Sequence, residues 1–103
     1  MNSEIKRKTA DLLSVCFKAG KAVKGFDSVK DSVISGKAFA VITAADASAK
    51  TIKEVRFICD KYGIRVLPSE LEKNDISRLC GKETAVIAVC DKGFAGGFLK
   101  IIG

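Results

Sequence analysis

Histidine is absent from the chain. That removes the most frequent general base at neutral pH, the Ser-His and Cys-His nucleophile pairs, and the commonest zinc ligand. Long apolar runs are also missing. The longest, "AVIAVC" at 85–90, falls far short of the roughly 18 residues that suggest a membrane span. The opening "MNSEIKRKTADLL" holds no uninterrupted apolar stretch of signal-peptide length. A soluble, cytoplasmic protein with no membrane partner is expected. Cys16, Cys59, Cys80 and Cys90 contain no CxxC pair to chelate zinc or run a redox cycle. Each lies in an apolar context, so buried free thiols acting as small hydrophobes are expected, without disulfides.

Phosphate loops are incomplete too. "SGKAFA" at 35–40 and "CGKETA" at 80–85 both lack the upstream glycine and the Ser/Thr after lysine that a Walker A loop needs. The carboxylates are mostly interspersed with lysines on helix surfaces or at caps, and no working acid/base pair can be identified. The chain is therefore read as no enzyme, with no metal or other cofactor.

What the chain does have is positive charge. Eighteen Lys/Arg against twelve Asp/Glu give +6, which favours an anionic partner such as nucleic acid over a pocket for acidic substrates. Residues 1–37 hold eight basic and four acidic side chains, while residues 68–103 hold five of each. The excess thus sits toward the N-terminal end. At 103 residues, 48% of them hydrophobic, residues 1–103 fit one domain with its own core.

Hydrophobic periodicity lays out the elements. Ser3 can cap a first helix with Ile5, Leu12, Leu13, Cys16 and Phe17 at helical spacing and Gly20 at its end. After Gly25, Asp27 or Ser28 can cap a short helix whose Val29 and Val33 share a face, until Gly36 stops it. "FAVIT", 39–43, is a continuous apolar run, the pattern of a strand covered on both faces. Asp46 or Ser48 then caps a helix with Ile52, Val55, Cys59 and Tyr62 as its inner stripe. "IRVL", 64–67, is a strand broken by Pro68. Ser69 with Glu72, or alternatively Asn74, caps a turn of helix through Ile76 and Leu79 to Gly81. "AVIAV", 85–89, is a second buried strand, and Asp91 caps a last helix in which "GFAGGF" permits close packing. Strands alternating with helices predict an α/β domain of three layers, α/β/α.

The stretch "KAVKGFDSVK", 21–30, is the strongest binding candidate. Exposed N–H groups at a helix start beside Lys21 and Lys24 can hold phosphates or base edges, and Gly25 permits close backbone approach. Asp27, however, already offers those N–H groups an anion, so a simply capped helix fits equally well. Phe26 discriminates: exposed beside lysines it marks a binding edge, and packed on Val29 or Val33 it belongs to the core.

The order of segments, with Gly25 and Gly36 around a helix, an apolar strand running to Asp46, "YGIRVLP", "LCGKE" and "DKGFA" at 91–95, resembles the kink-turn RNA-binding ribosomal protein superfamily. This is the L-seven-Ae and L-thirty-e group, and the similarity is greatest to its small stand-alone bacterial members. It covers nearly the whole chain. The resemblance implies an α/β/α sandwich around a mixed, four-stranded sheet, with RNA bound by the second helix's N-terminus and two nearby loops. Kink-turn binders of the family read Gly-Ala-Asn-Glu at that helix start, with a lysine one turn on; here Gly25 is followed by Phe26, Asp27 and Ser28, and Asp31 stands at the lysine position. The expected function is RNA binding as a ribosomal or ribosome-associated protein in translation. The expected partner is structured RNA, a kink-turn or ribosomal RNA, with no DNA, and the chain is read as a monomer. The residues assigned are Lys21, Lys24, Gly25, Phe26, Asp27, Ser28, Lys30, Asp46 and the loop Lys82, Glu83 and Thr84. The alternative is a protein-interaction adaptor on the same fold, with Phe26 as its exposed anchor.

Overall fold

The computed structural model describes the backbone of residues 3–103 and side chains from residue 4 onward; the cap read at Ser3 lies outside the described side chains. The elements run α1 (Ser3–Lys18), β1 (Ala22–Lys24), α2 (Phe26–Ile34), β2 (Ala40–Thr43), α3 (Ala49–Tyr62), β3 (Arg65–Pro68), α4 (Lys73–Cys80), β4 (Val86–Val89) and α5 (Lys92–Ile102). The four strands form one mixed sheet in the order β1-β4-β2-β3. β4 is antiparallel to both β1 and β2, while β2 and β3 are parallel and joined by the α3 crossover.

The two apolar runs become the two central strands, every residue of which is buried. Side chains alternate across a strand, and here the alternation feeds two separate cores. Ala40 and Ile42 of β2, with Ile87 and Val89 of β4, pack with Leu13 and Cys16 of α1, Ile76 of α4 and Phe98 of α5. Val41 of β2, with Val86 and Ala88 of β4, packs with Val29 and Val33 of α2 and Val55 and Cys59 of α3. The fold is therefore the expected three-layer α/β/α sandwich. On the first face α5 lies close on α1, because a Cβ at Gly97 would stand 3.0 Å from Leu12 Cδ2. This is the close packing expected of "GFAGGF".

Several local expectations are corrected. β1 was not located in the sequence: it has three half-buried residues on the sheet edge and no apolar run to mark it. Neither Asp27 nor Ser28 caps α2. They lie inside its first turn, and the N-cap is Gly25, which has no side chain to offer. Ser48 rather than Asp46 caps α3, accepting the Thr51 N–H at 3.1 Å. Pro68 is the last residue of β3 and pairs with Thr43, which an edge strand tolerates. Neither Ser69 nor Asn74 caps α4. Its N-cap is Glu72, whose N–H donates to Asp75 Oδ2 at 2.9 Å, while Ser69 Oγ donates instead to the Thr43 carbonyl at 2.8 Å. Tyr62 is not core. It is 43% exposed, the last residue of α3.

Cys16 and Cys59 are buried as read, and Cys80 and Cys90 are half-buried. Burial, with smaller contributions from Asp91 and Cys90, pushes the Cys16 thiol up to about 11. Burial, then Asp60, does the same at Cys59. Both stay protonated at neutral pH, so neither is a nucleophile.

Asp75 ties α4 to α1. The hydrogen bond from the Glu72 N–H holds its carboxyl below the ordinary value of 3.8, and Lys6 of α1, 3.1 Å away, adds to this against the opposing effect of burial. A carboxyl with a lowered folded pKa stabilises above its unfolded value, and that stability is lost as pH falls through the folded one. Asp75→Asn should therefore lower the urea midpoint at pH 7, and the difference from wild type should shrink as pH drops below 3.8. In the core, Phe98 is wholly buried, and Phe98→Ala should cost about 3–5 kcal/mol in urea denaturation.

Candidate nucleic-acid interface

Three strands, β1, β2 and β3, run in one direction, and β4 runs against them. The chain therefore brings four connections to one end of the sheet: Gly25 after β1, Ala44–Ser48 after β2, Ser69–Glu72 after β3, and Gly81–Ala85 leading into β4. In open α/β sheets the crevice beyond the carboxyl ends of the strands is the usual ligand position.

Hydrogen bonds lace these connections together. The Ala44 N–H donates to the Ala85 carbonyl at 2.8 Å and the Ala45 N–H to the Leu71 carbonyl at 2.7 Å. Asp46 Oδ1 accepts the Lys73 N–H at 2.8 Å, capping the first residue of α4 from another loop. Lys24 Nζ donates to the Cys80 carbonyl at 3.0 Å, a cation at the electronegative C-terminus of α4.

Gly25 is the pivot of this ring. Its φ of 92° and ψ of 147° lie in a region that residues with a Cβ rarely adopt. Its N–H is shared between Thr84 Oγ1 at 3.0 Å and the Val86 carbonyl at 3.2 Å. Its carbonyl accepts the Val29 N–H, and α2 starts with no side-chain cap, beside the exposed Asp27 and Ser28. A helix start of this kind presents partial positive charge to an anion or a base edge.

The expected residues separate into groups. Lys24, Gly25, Asp27, Ser28, Asp46, Lys82, Glu83 and Thr84 meet at this end, and Lys30 lies one turn along α2. Lys21 does not join them. It precedes β1 at the opposite end of the sheet, where its carbonyl accepts the Cys90 N–H, about 13 Å from Gly25 by strand rise. Phe26 is half-buried and packs on the core that contains Val29 and Val33, which is the core outcome of the test set by the sequence. Thr84 is buried. Its hydroxyl donates to the Val86 carbonyl and accepts the Gly25 N–H, so it positions the glycine and is turned away from solvent. Sequence reasoning missed the β3–α4 connection and Lys73; Pro68 closing a strand was the available signal that a loop begins there.

The chain is similar to known proteins over most of its length. The Ribosomal protein L7Ae/L30e/S12e/Gadd45 family matches residues 7–95. The chain belongs to this family. The curated relatives include "RNA-binding protein YlxQ" of Bacillus subtilis, 33% identical over 92 residues that cover 88% of this chain and 91% of that protein. The protein of the same name from Enterococcus faecium is 32% identical, covering 92% and 91%. Among solved structures, a Bacillus halodurans protein of unknown function superposes with a TM-score of 0.83 at 29% identity, covering 89% of this chain and 93% of that one. The Giardia lamblia 15.5kD RNA binding protein, 22% identical, shares the fold with a TM-score of 0.79 over 98% and 87% of the two chains. The family match spans every element of the ring, from Gly25 through Asp46 to Thr84.

Removing the Thr84 hydroxyl should loosen the ring without emptying the core. Thr84→Val is expected to cost about 1 kcal/mol in urea denaturation, since the Gly25 N–H keeps the Val86 carbonyl. Hydrogen exchange at the Gly25 amide should quicken, which NMR would read directly.

Proposed function

We propose that residues 1–103 act as one RNA-binding domain, ribosome-associated and not enzymatic, which grips structured RNA with the ring of connections around Gly25. The observation that carries this reading is the uncapped start of α2, fixed by the shared Gly25 N–H. It is the position that the family resemblance implies for RNA, and the chain's relatives include RNA-binding proteins.

The chemistry divides between charge and shape. Lys24, Lys30 and Lys82 supply phosphate contacts, but Asp27, Asp46 and Glu83 offset them at the same end. Phosphate attraction near the ring is therefore modest, and the backbone N–H groups of α2 with the Ser28 hydroxyl do the local reading of ribose hydroxyls and unpaired base edges. RNA suits such an edge better than duplex DNA, because its loops and bulges display bases that a short helix start can reach. Asp27 is acceptor-only where kink-turn binders present an amide, so it serves bases that offer an amino group and not those that need a donor.

The test is binding to a kink-turn RNA and to the same RNA with its G·A pairs replaced by Watson–Crick pairs, each across a salt series by fluorescence anisotropy. Tighter binding to the kink-turn supports the reading, and no binding to either RNA overturns it. Lys82→Ala should weaken binding and reduce the slope of log K against log salt by about one. Asp27→Asn should strengthen kink-turn binding by about tenfold, since it restores a donor and removes a charge near phosphate.

A further inference from the structure

On the outer side of the α2–α3 layer lies an open groove of about 510 Å³ that the RNA-binding ring does not use. Its floor is apolar: Phe26 and Ile34 from α2, with Phe57, Ile58 and Tyr62 from α3. Phe57 is 71% exposed and Ile34 46%. An exposed aromatic and aliphatic patch on so small a protein marks an interaction surface more often than chance packing. The rim is basic, with Lys30, Lys53 and Lys61 against Glu54 alone.

Three features select the occupant. The groove runs the length of Phe26–Ile34, about 12 Å at helical rise, which fits the roughly 10.5 Å spanned by anchors at i, i+4 and i+7 of a docked helix. Three lysines against one glutamate suit a partner bearing carboxylates and oppose a second copy of this chain, whose lysines would face their own kind. Apart from the Tyr62 hydroxyl, the floor offers no hydrogen-bonding group, so a nucleobase pressed into it would leave its edges unpaired.

We propose that the α2–α3 groove docks an acidic amphipathic helix of a partner protein, with apolar anchors over Phe57 and Ile34 and carboxylates meeting Lys30, Lys53 and Lys61. The surface stands beside RNA binding and does not depend on it. Only α2 is shared: its start belongs to the ring and its flank to the groove, with Lys30 at the border within reach of either.

The probe is a fluorescein-labelled 16-residue helical peptide with leucine at i, i+4 and i+7 and glutamate on its other faces. A second peptide carries lysine in place of glutamate. The acidic peptide should bind by anisotropy, with amide shifts confined to α2 and α3, and the lysine peptide should not. Phe57→Ser, and separately Lys53→Glu with Lys61→Glu, should each weaken binding at least about tenfold. All three side chains are exposed, so the variants keep the fold, and unchanged RNA affinity of Phe57→Ser separates this surface from the ring. Equal binding of both peptides, binding of neither, or indifference to Phe57→Ser overturns the proposal. So does displacement of the acidic peptide by oligouridylate, which would give the groove to nucleic acid. Self-association of the chain that Phe57→Ser abolishes would give it to a second copy and overturn the proposal as well.

Discussion

Everything in this molecule hangs on the antiparallel pairing of β2 with β4. Ile42 stands opposite Ile87 and Val41 opposite Ala88, and all eight residues of the two strands are buried. A one-residue slip would exchange every side chain between the two faces. Here it would send Ile42 toward α2 and α3, where the neighbours are mostly valine and alanine, and Val41 toward Phe98 and Leu13. The asymmetry of the two cores, one bulkier and one smaller, thus favours a single register. That register also sets Ala44 against Ala85, and the pairing of β1 on the other edge of β4 sets Lys24 beside Ile87; together they bring the ring of connections to one end.

The parts of the fold that were legible in the sequence are those where one physical pattern dominates. "FAVIT" and "AVIAV" read as central strands because a run of apolar residues without alternation has to be covered on both sides. Gly25 read as special because a glycine at a helix entry permits close backbone approach and the family resemblance keeps a glycine there; its positive φ is what the structure adds. The parts that were not legible are those decided by contacts distant in sequence. β1 has no apolar run and exists because β4 offers it an edge. Asp46 and Ser48 are equally good caps by composition, and the choice falls on Ser48 because Asp46 is drawn to the Lys73 N–H, 27 residues away. Tyr62 fits the apolar stripe of α3 by periodicity but is the last residue of the helix, followed by the Gly63 cap, and is exposed.

Thr84 shows the same limit at the site itself. In the linear chain it sits in a short polar loop and reads as a hydroxyl available to RNA. In three dimensions both its hydrogen-bonding roles are taken, by Gly25 across the sheet edge and by Val86 two residues on. A glycine with an unusual backbone conformation needs such support, because its own flexibility would otherwise let the helix start wander. The side chain that reads in the sequence as a ligand contact instead holds the Gly25 backbone still.

Charge is distributed separately from the ring. The chain carries +6, yet the ring's own lysines and carboxylates nearly balance, and much of the excess lies on α1, with Lys6, Arg7, Lys8 and Lys18, and on α3, with Lys50, Lys53, Arg56 and Lys61. A diffuse positive field draws an anionic partner toward the molecule without fixing its orientation. On the proposed reading, a nearly neutral edge of N–H groups and short polar side chains then discriminates by shape, because a wrong fit gains little electrostatic compensation there. Attraction and recognition are thereby assigned to different parts of the surface. α2 belongs to both: its start is held by Gly25 for recognition, and its flank, with Lys30, contributes to the field.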